Sequence, residues 1–276
     1  MTISVNSNAS ALTALQNLNK TNDSMTANQA RISTGLKVGT ARDNAAIYAI
    51  AQKQRASVSA LGAVTDSLNR ATSIADVASA AGASISDALN SMKQKVLAAT
   101  DPSYDTNSRA ALNADFRSLI RQIQQIVQNS SFDGSNILDG SLATGLRFLS
   151  NAEATAYVTL STQNLSLGGA IITMAATSSI NTVTNATTIL GQLNTSITNV
   201  NLALANLGSQ ANQIANHNKF VSKLTDALNM GIGNLVDADM ASESAKLQAL
   251  QVQQQLGAQA LSIANQGPQI ILSLFK

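Results

Sequence analysis

Apolar residues recur at alternating steps of three and four through about five heptads between residues 61 and 96. This spacing keeps them on one stripe of a helix, so it predicts a long helix with a coiled-coil seam. The same alternation returns between residues 190 and 214. The predicted rod seam comprises Leu61, Val64, Leu68, Ile85, Leu89, Met92, Ile197, Val200, Leu204 and Leu207.

Helix-breaking residues divide the rest of this pattern. Pro102 disfavours helical geometry at Asp101, and two Asp-Gly pairs follow the apolar face at residues 112–127. We therefore expect long helices at about 41–99, 104–129 and 185–230, with the last one broken by Gly231 and Gly233.

The amino-acid composition changes at about residues 132–180. It mixes β-branched residues with Ser and Thr, and no Asp, Glu, Lys or Arg occurs between residues 154 and 218. We interpret 132–180 as a β-hairpin region, with a flexible Ser/Thr loop as the alternative. Aromatic residues make up only 3% of the chain and Trp is absent, which favours closely packed helices. The predicted class is mainly α: a long antiparallel helical rod with coiled-coil packing, paired N- and C-terminal helices and a small β-hairpin region.

The chain has few of the residue types that most often act in catalysis or bind metals. Cys is absent and His217 is the single histidine, which we interpret as a packed structural residue. There is no phosphate-binding loop, dinucleotide fingerprint or catalytic triad pattern, so we predict no catalytic, cofactor-binding or metal site, and no enzyme. A net charge of +2 without a basic run argues against nucleic acid as a partner. No apolar run is long enough to span a membrane, and the first residues do not resemble a cleaved signal.

The junction after the first helix has recognisable end signals. Gly35 fits a left-handed C-cap, and Thr40 with Asp43 has the spacing of a capping box that would start the next helix. Near the other end, Pro268 is expected to kink or end the last helix.

Both ends of the chain are apolar, although chain ends are usually polar. The residues predicted to pack in assembly are Val5, Leu12, Leu15, Leu18, Leu247, Leu250, Leu256, Leu261, Ile263, Ile270, Leu274 and Phe275. Ordering a residue requires about 60 Å² of buried apolar surface to break even, and an isolated helix pair falls short. We expect further copies of the chain to cover the rest. A head-to-tail contact would give a filament, and a closed helical bundle is the alternative.

Three stretches resemble bacterial flagellin. They are RISTGLKVGTARDNAAIYAIA (31–51), FRSLIRQIQQIVQNSSFDGSNILDG (116–140) and DADMASESAKLQALQVQQQLGAQALSIANQGPQIILSLFK (237–276), in the order found in that family. The resemblance implies an inner-tube domain formed by helices at 1–40 and 235–276. It implies a rod domain at 41–234, and a short member without outer domains.

The resemblance also implies a function. Flagellins polymerise into the hollow helical filament of the bacterial flagellum, outside the cell, and they need no cofactor. The implied partners are other copies of the chain, the flagellar secretion apparatus, an export chaperone, and the cap and hook-junction proteins. A hook–filament junction protein with similar ends, or a self-assembling bundle unrelated to flagella, are the alternatives.

One family motif is altered. In many flagellins an innate-immune receptor of animals recognises the stretch that corresponds to residues 88–99, through a pattern containing Arg, Arg and Glu. This chain has Ser91, Lys93 and Gln94 at those positions. Losing a guanidinium and a carboxylate removes charged hydrogen bonds, so we predict weak or no receptor recognition.

Overall fold

The computed structural model describes residues 8–273, and side-chain surroundings for residues 8–266. The elements, in chain order, are α1 (Ala9–Thr34), α2 (Ala45–Ala99), α3 (Thr106–Asn129), β1 (Leu146–Leu149), β2 (Tyr157–Leu160), α4 (Val183–Val236) and α5 (Met240–Ser273). They form two compact units: a central unit, residues 57–226, and a terminal unit, residues 1–56 with 227–276. The predicted mainly α class with a small β-hairpin is confirmed.

In the central unit α2 packs antiparallel to α4. The side-chain amide of Asn218 donates to Asn69 Oδ1 at 2.8 Å. Further along the two helices the Ser86 hydroxyl donates to Asn201 Oδ1 at 3.4 Å. The interior is built from aliphatic side chains, as the scarcity of aromatic residues predicts. Its fully buried large members include Leu68, Ile85, Leu89, Met92, Phe116, Ile123, Leu160 and Leu165.

Gly82 is buried in the seam of α2 because Leu204 of α4 occupies the space beside it. A β carbon at position 82 would lie 2.5 Å from Leu204 Cδ2 and 3.4 Å from its Cγ. The seam therefore admits a glycine where the periodicity calls for a larger apolar residue.

Arg109 closes the turn between α2 and α3. α2 ends at Ala99, ahead of Pro102, as predicted. The buried Arg109 guanidinium donates to the carbonyls of Ala99, Asp101 and Tyr104, the last two at 3.1 Å. These carbonyls follow the last turn of α2 and have no helical partner, so a side chain satisfies them instead.

The β-hairpin pairs Leu146 with Leu160 and Leu149 with Tyr157 in antiparallel register. Ser67 of α2 accepts the Leu149 N–H at 3.1 Å, and His217 of α4 contacts the Ser150 carbonyl at 2.8 Å. His217 thus has a structural role as interpreted from the sequence. Outside β1 and β2 the region at 132–180 consists of turns and short bridges. Several of its apolar residues are buried, among them Ile137, Leu138, Leu165, Ile172 and Met174.

Two predicted helix boundaries were wrong. α2 begins at Ala45, because Asn44 caps it by accepting the Ile47 N–H at 3.1 Å. The Asp43 carboxylate instead accepts the Thr40 N–H at 2.9 Å, ahead of the helix. α4 continues through Gly231 and Gly233 to Val236. α5 continues past Pro268 to Ser273, so it does not end at that proline, and a kink there stays a prediction.

Candidate functional site

α1 has well-defined ends. The Asn8 side chain accepts the Ala11 N–H at 3.1 Å, which satisfies one of the free donors of the first turn. At the other end Gly35 adopts φ 71° and donates its N–H to Arg31 O at 2.8 Å. The left-handed conformation explains why glycine stands there and agrees with the predicted C-cap.

α1 and α5 pack against each other in antiparallel orientation. Asn8 donates to Ala264 O at 2.7 Å near the start of α1, and Gln254 donates to Asn22 Oδ1 at 2.8 Å. Between these contacts Leu18 lies over Gly257, where a β carbon would be 3.2 Å from Leu18 Cδ1. The glycine lets the two helices approach closely.

A polar cluster lies near the end of α1. Asn28 is the buried residue of α1, at 2% exposure, and its amide donates to the backbone carbonyl of Glu243 at 3.1 Å and to the Glu243 carboxylate. Arg31 approaches the same carboxylate at 3.4 Å. Glu243 occupies the first turn of α5, where a negative charge also favours the helix dipole.

The connections that follow α1 and precede α5 are bonded to each other. Lys37 donates its N–H to Val236 O at 2.7 Å, and Ala238 donates to Gly35 O at 2.8 Å. Asp239 then caps α5 by accepting the Ala241 N–H at 3.0 Å. These bonds fix where α5 starts relative to the end of α1.

The residues predicted to pack in assembly differ in how exposed their side chains are. Leu12, Leu256 and Ile263 are exposed at 57%, 62% and 63%, and Leu15 is exposed as well. Leu18, Leu247 and Leu261 are half-buried and Leu250 is buried, so they contribute to the contact of α1 with α5. Val5, Leu274 and Phe275 lie outside the described residues, as does the side chain of Ile270.

We define the open apolar face as the exposed large aliphatic residues of α1 and α5: Leu12, Leu15, Val252, Leu256 and Ile263. Two helices can bury only the sides that they turn to each other. The open apolar face is thus a surface suited to binding other apolar surfaces.

The predicted rod seam residues lie on α2 and α4. Ile197 and Leu204 are half-buried, and the others are buried: Leu61, Val64, Leu68, Ile85, Leu89, Met92, Val200 and Leu207. Sequence reasoning missed Asn28, Glu243 and Arg109. Asn28 could have been noticed as a polar residue at a heptad position, but its partner is 215 residues away.

The described residues offer little for catalysis. Residues 8–273 contain no group of His, Asp and Glu that could hold a metal ion, and none of their helices is long and apolar enough to cross a membrane. Three carboxyls have a lowered pKa. For Asp43 the main cause is the backbone hydrogen bond from Thr40, for Asp101 the one from Ser103, and for Asp105 hydrogen bonding from the Ser108 side chain. All three stabilise turns or helix starts.

Comparison with known proteins agrees with this geometry. The bacterial flagellin N-terminal helical region matches residues 5–143, and the bacterial flagellin C-terminal helical region matches residues 187–275. Flagellin FljJ of Caulobacter vibrioides is 52% identical, covering 100% of this chain and 99% of that protein. A flagellin of Brucella melitensis is 36% identical, covering 99% of both chains.

A solved structure shares the fold. The structure of a putative flagellar hook-associated protein from Vibrio parahaemolyticus matches with a TM-score of 0.56 at 14% identity, covering 71% of this chain and 100% of that one. At that identity the likeness concerns the fold alone. The two family regions and the relatives of matching length decide the assignment: the chain belongs to the bacterial flagellin family, and it is a structural subunit of the extracellular filament of the flagellum.

Proposed function

We propose that copies of the chain polymerise by covering one another's open apolar face. The observation that carries this proposal is the exposure of long aliphatic side chains on both α1 and α5. Burying one such side chain contributes about 1.5–3 kcal/mol, so a few per subunit outweigh a large part of the cost of association.

The chain would then have two parts with different tasks. Residues 1–40 and 235–276 would form the inner tube of the filament, and residues 41–234 would form the rod around it. The compact terminal unit, which holds α1 and α5, supports this division in outline. No reaction is assigned to the subunit, and its task is mechanical.

The test is seeded elongation with the Leu256→Ser variant. Short filament fragments are mixed with excess monomer and growth is followed by light scattering and electron microscopy. Losing one buried leucine at each subunit contact should raise the critical concentration about tenfold, since about 1.4 kcal/mol corresponds to that factor. The matched control is Gln251→Ser, an exposed polar position on the same helix.

Unchanged growth of Leu256→Ser, together with unchanged growth when Leu12 and Ile263 are also replaced by Ser, would refute the proposal. The variants should fold like the parent, because these side chains are exposed. Circular dichroism of the unassembled protein checks this point.

Family membership suggests the remaining partners. We propose that the chain is exported by the flagellar secretion apparatus, that an export chaperone accompanies it, and that cap and hook-junction proteins contact the polymer. Pull-down of the export machinery with the full chain tests the first step.

We also propose weak or no recognition by the innate-immune receptor. The exposed side chains of Ser91, Lys93 and Gln94 replace the charged pattern that the receptor uses in other members. A reporter-cell assay should show little response to this chain and a gain with the triple change Ser91→Arg, Lys93→Arg and Gln94→Glu. A full response to the unmodified chain would contradict this expectation.

A further inference from the structure

The contact between α1 and α5 has a regular repeat. Among the buried and half-buried residues, α1 has a regular series at Ala11, Ala14, Leu18, Thr21, Met25, Asn28 and Ile32, and α5 has one at Glu243, Leu247, Leu250, Gln254, Gly257, Leu261 and Ala264. Both series advance by alternating steps of three and four. A slide of one helix by seven residues therefore keeps the two stripes facing each other. Apolar periodicity alone does not select the register of this pair.

Polar members break the repeat. In the observed register Asn28 finds both acceptors of Glu243, its backbone carbonyl and its carboxylate. A slide of seven residues would place Asn28 against Leu250, which has no polar side-chain atom. A second polar contact, from Gln254 to Asn22 at 2.8 Å, would be lost at the same time.

An asparagine at position 28 makes the helix pair less stable than an apolar residue there would. Its Oδ1 is buried and finds no donor within residues 8–266. A buried amide with one unsatisfied atom destabilises a helix pair relative to an apolar residue of similar size. Buried polar residues at heptad positions are known to select one register at a cost in stability, and Asn28 fits that pattern.

We propose that Asn28 and Glu243, with Arg31 holding the Glu243 carboxylate in place, maintain the register of α1 on α5 along the pair, in addition to the backbone hydrogen bonds of Lys37 and Ala238 at its connected end. This inference rests on the proposed assembly through the open apolar face. The register determines which residues of α1 lie beside which residues of α5. It therefore determines how the exposed apolar side chains of the two helices are arranged on the surface that binds the next copy. A slid pair would present Leu12 and Leu15 beside a different part of α5.

The absence of Cys permits a direct test by disulfide trapping in assembled protein. A β carbon at position 257 would lie 3.8 Å from Leu18 Cβ, a distance that suits a disulfide. The pair Leu18→Cys with Gly257→Cys reports the observed register. The pair Leu18→Cys with Ala264→Cys, seven residues further on, reports the slid one.

Each pair is compared in the parent sequence, in Asn28→Leu and in Asn17→Leu, an exposed position of the same helix. In the parent and in Asn17→Leu the 18–257 disulfide should exceed the 18–264 disulfide at least tenfold. In Asn28→Leu, and likewise in Glu243→Leu, the yield of the 18–264 disulfide relative to the 18–257 disulfide should rise above its value in the parent, although the backbone bonds at the connected end still favour the observed register. The ratio is measured by mass spectrometry on filaments and on unassembled chains, so poor assembly of a variant does not remove the readout.

An unchanged ratio in both Asn28→Leu and Glu243→Leu would overturn the register role and leave the proposed assembly standing. Failure of the parent to form the 18–257 disulfide would overturn the pairing of α1 with α5, and the proposed assembly with it.

Discussion

Single residues set the closest contacts of the central unit. Gly82 is the clearest case, because Leu204 fills the space that a side chain would need. The sequence shows the glycine in the seam but not its reason, since the leucine lies far along the chain, on another helix.

Replacing Gly82 by Ala tests this contact. The added methyl group must displace the half-buried Leu204 side chain, which costs about 1–3 kcal/mol. Gly62→Ala is the matched control, because that position of the same helix is exposed with no atom within 4 Å of a β carbon. Both changes gain the same helix propensity, so the difference between their free energies of unfolding in urea isolates the packing cost. Equal stability of the two variants would contradict the tight fit.

The hydrogen-bond partners of Asn28 and Arg109 could not be predicted from the sequence. The apolar seam residues follow from periodicity alone, because a helix repeats every 3.6 residues. The partner of Asn28 lies 215 residues away and those of Arg109 lie in the turn that precedes α3, and periodicity carries no information about either.

Helices and strands were more predictable than their ends. The long helices, the turn at Pro102 and the Gly35 cap all follow from local signals. The two boundary errors have different causes: at Asn44 a local cap starts α2 later than Thr40 and Asp43 indicated, and at Gly231 the rest of α4 keeps the glycine helical. Glycine costs a helix about 1 kcal/mol, and the rest of a 54-residue helix offsets that easily.

The start of α3 gives a prediction about pH. Asp105 caps this helix by accepting the Ser108 N–H at 2.8 Å. Hydrogen bonding from the Ser108 side chain, and after it from this N–H, lowers the pKa of Asp105 in the folded protein. A carboxyl whose pKa is lowered on folding stabilises the fold above its unfolded pKa, and the contribution fades as the pH falls from about 4 through the folded value.

The Asp105→Asn variant keeps a good cap without a titrating group. We expect it to unfold at nearly the same urea concentration as the parent at pH 7. Below about pH 4 the parent should lose more stability than the variant. The measurement is the unfolding midpoint at pH 7 and pH 3, and parallel losses in both proteins would contradict the role of Asp105. A second variant, Asp105→Ala, gives the cost of having no cap at all.

Over the whole molecule, charge contributes little to cohesion. Charged residues are 12% of the chain, and stretches such as residues 154–218 carry none of Asp, Glu, Lys or Arg. Two ion pairs of the central unit, Arg70 with Asp133 at 2.9 Å and Lys95 with Asp115 at 2.8 Å, join exposed side chains. Exposed pairs of this kind contribute about 0–1 kcal/mol.

Sodium chloride should therefore change the stability of the unassembled chain only slightly. Between about 10 mM and about 500 mM salt the screening length falls well below the usual separation of surface charges, which would weaken a fold held by ion pairs. We expect the free energy of unfolding to change by less than about 1 kcal/mol, because the core is aliphatic. Chemical denaturation at the two salt concentrations measures the change, and a loss of several kcal/mol would show that ion pairs matter more than the contacts suggest.

A propeller works in whatever water surrounds the cell, and that water can turn from fresh to brackish within hours. We expect a subunit with an aliphatic interior and few surface charges to keep its fold through such a change. The scarcity of charge along residues 154–218 is therefore a form of environmental tolerance, suited to a part that the cell cannot shelter once it is outside.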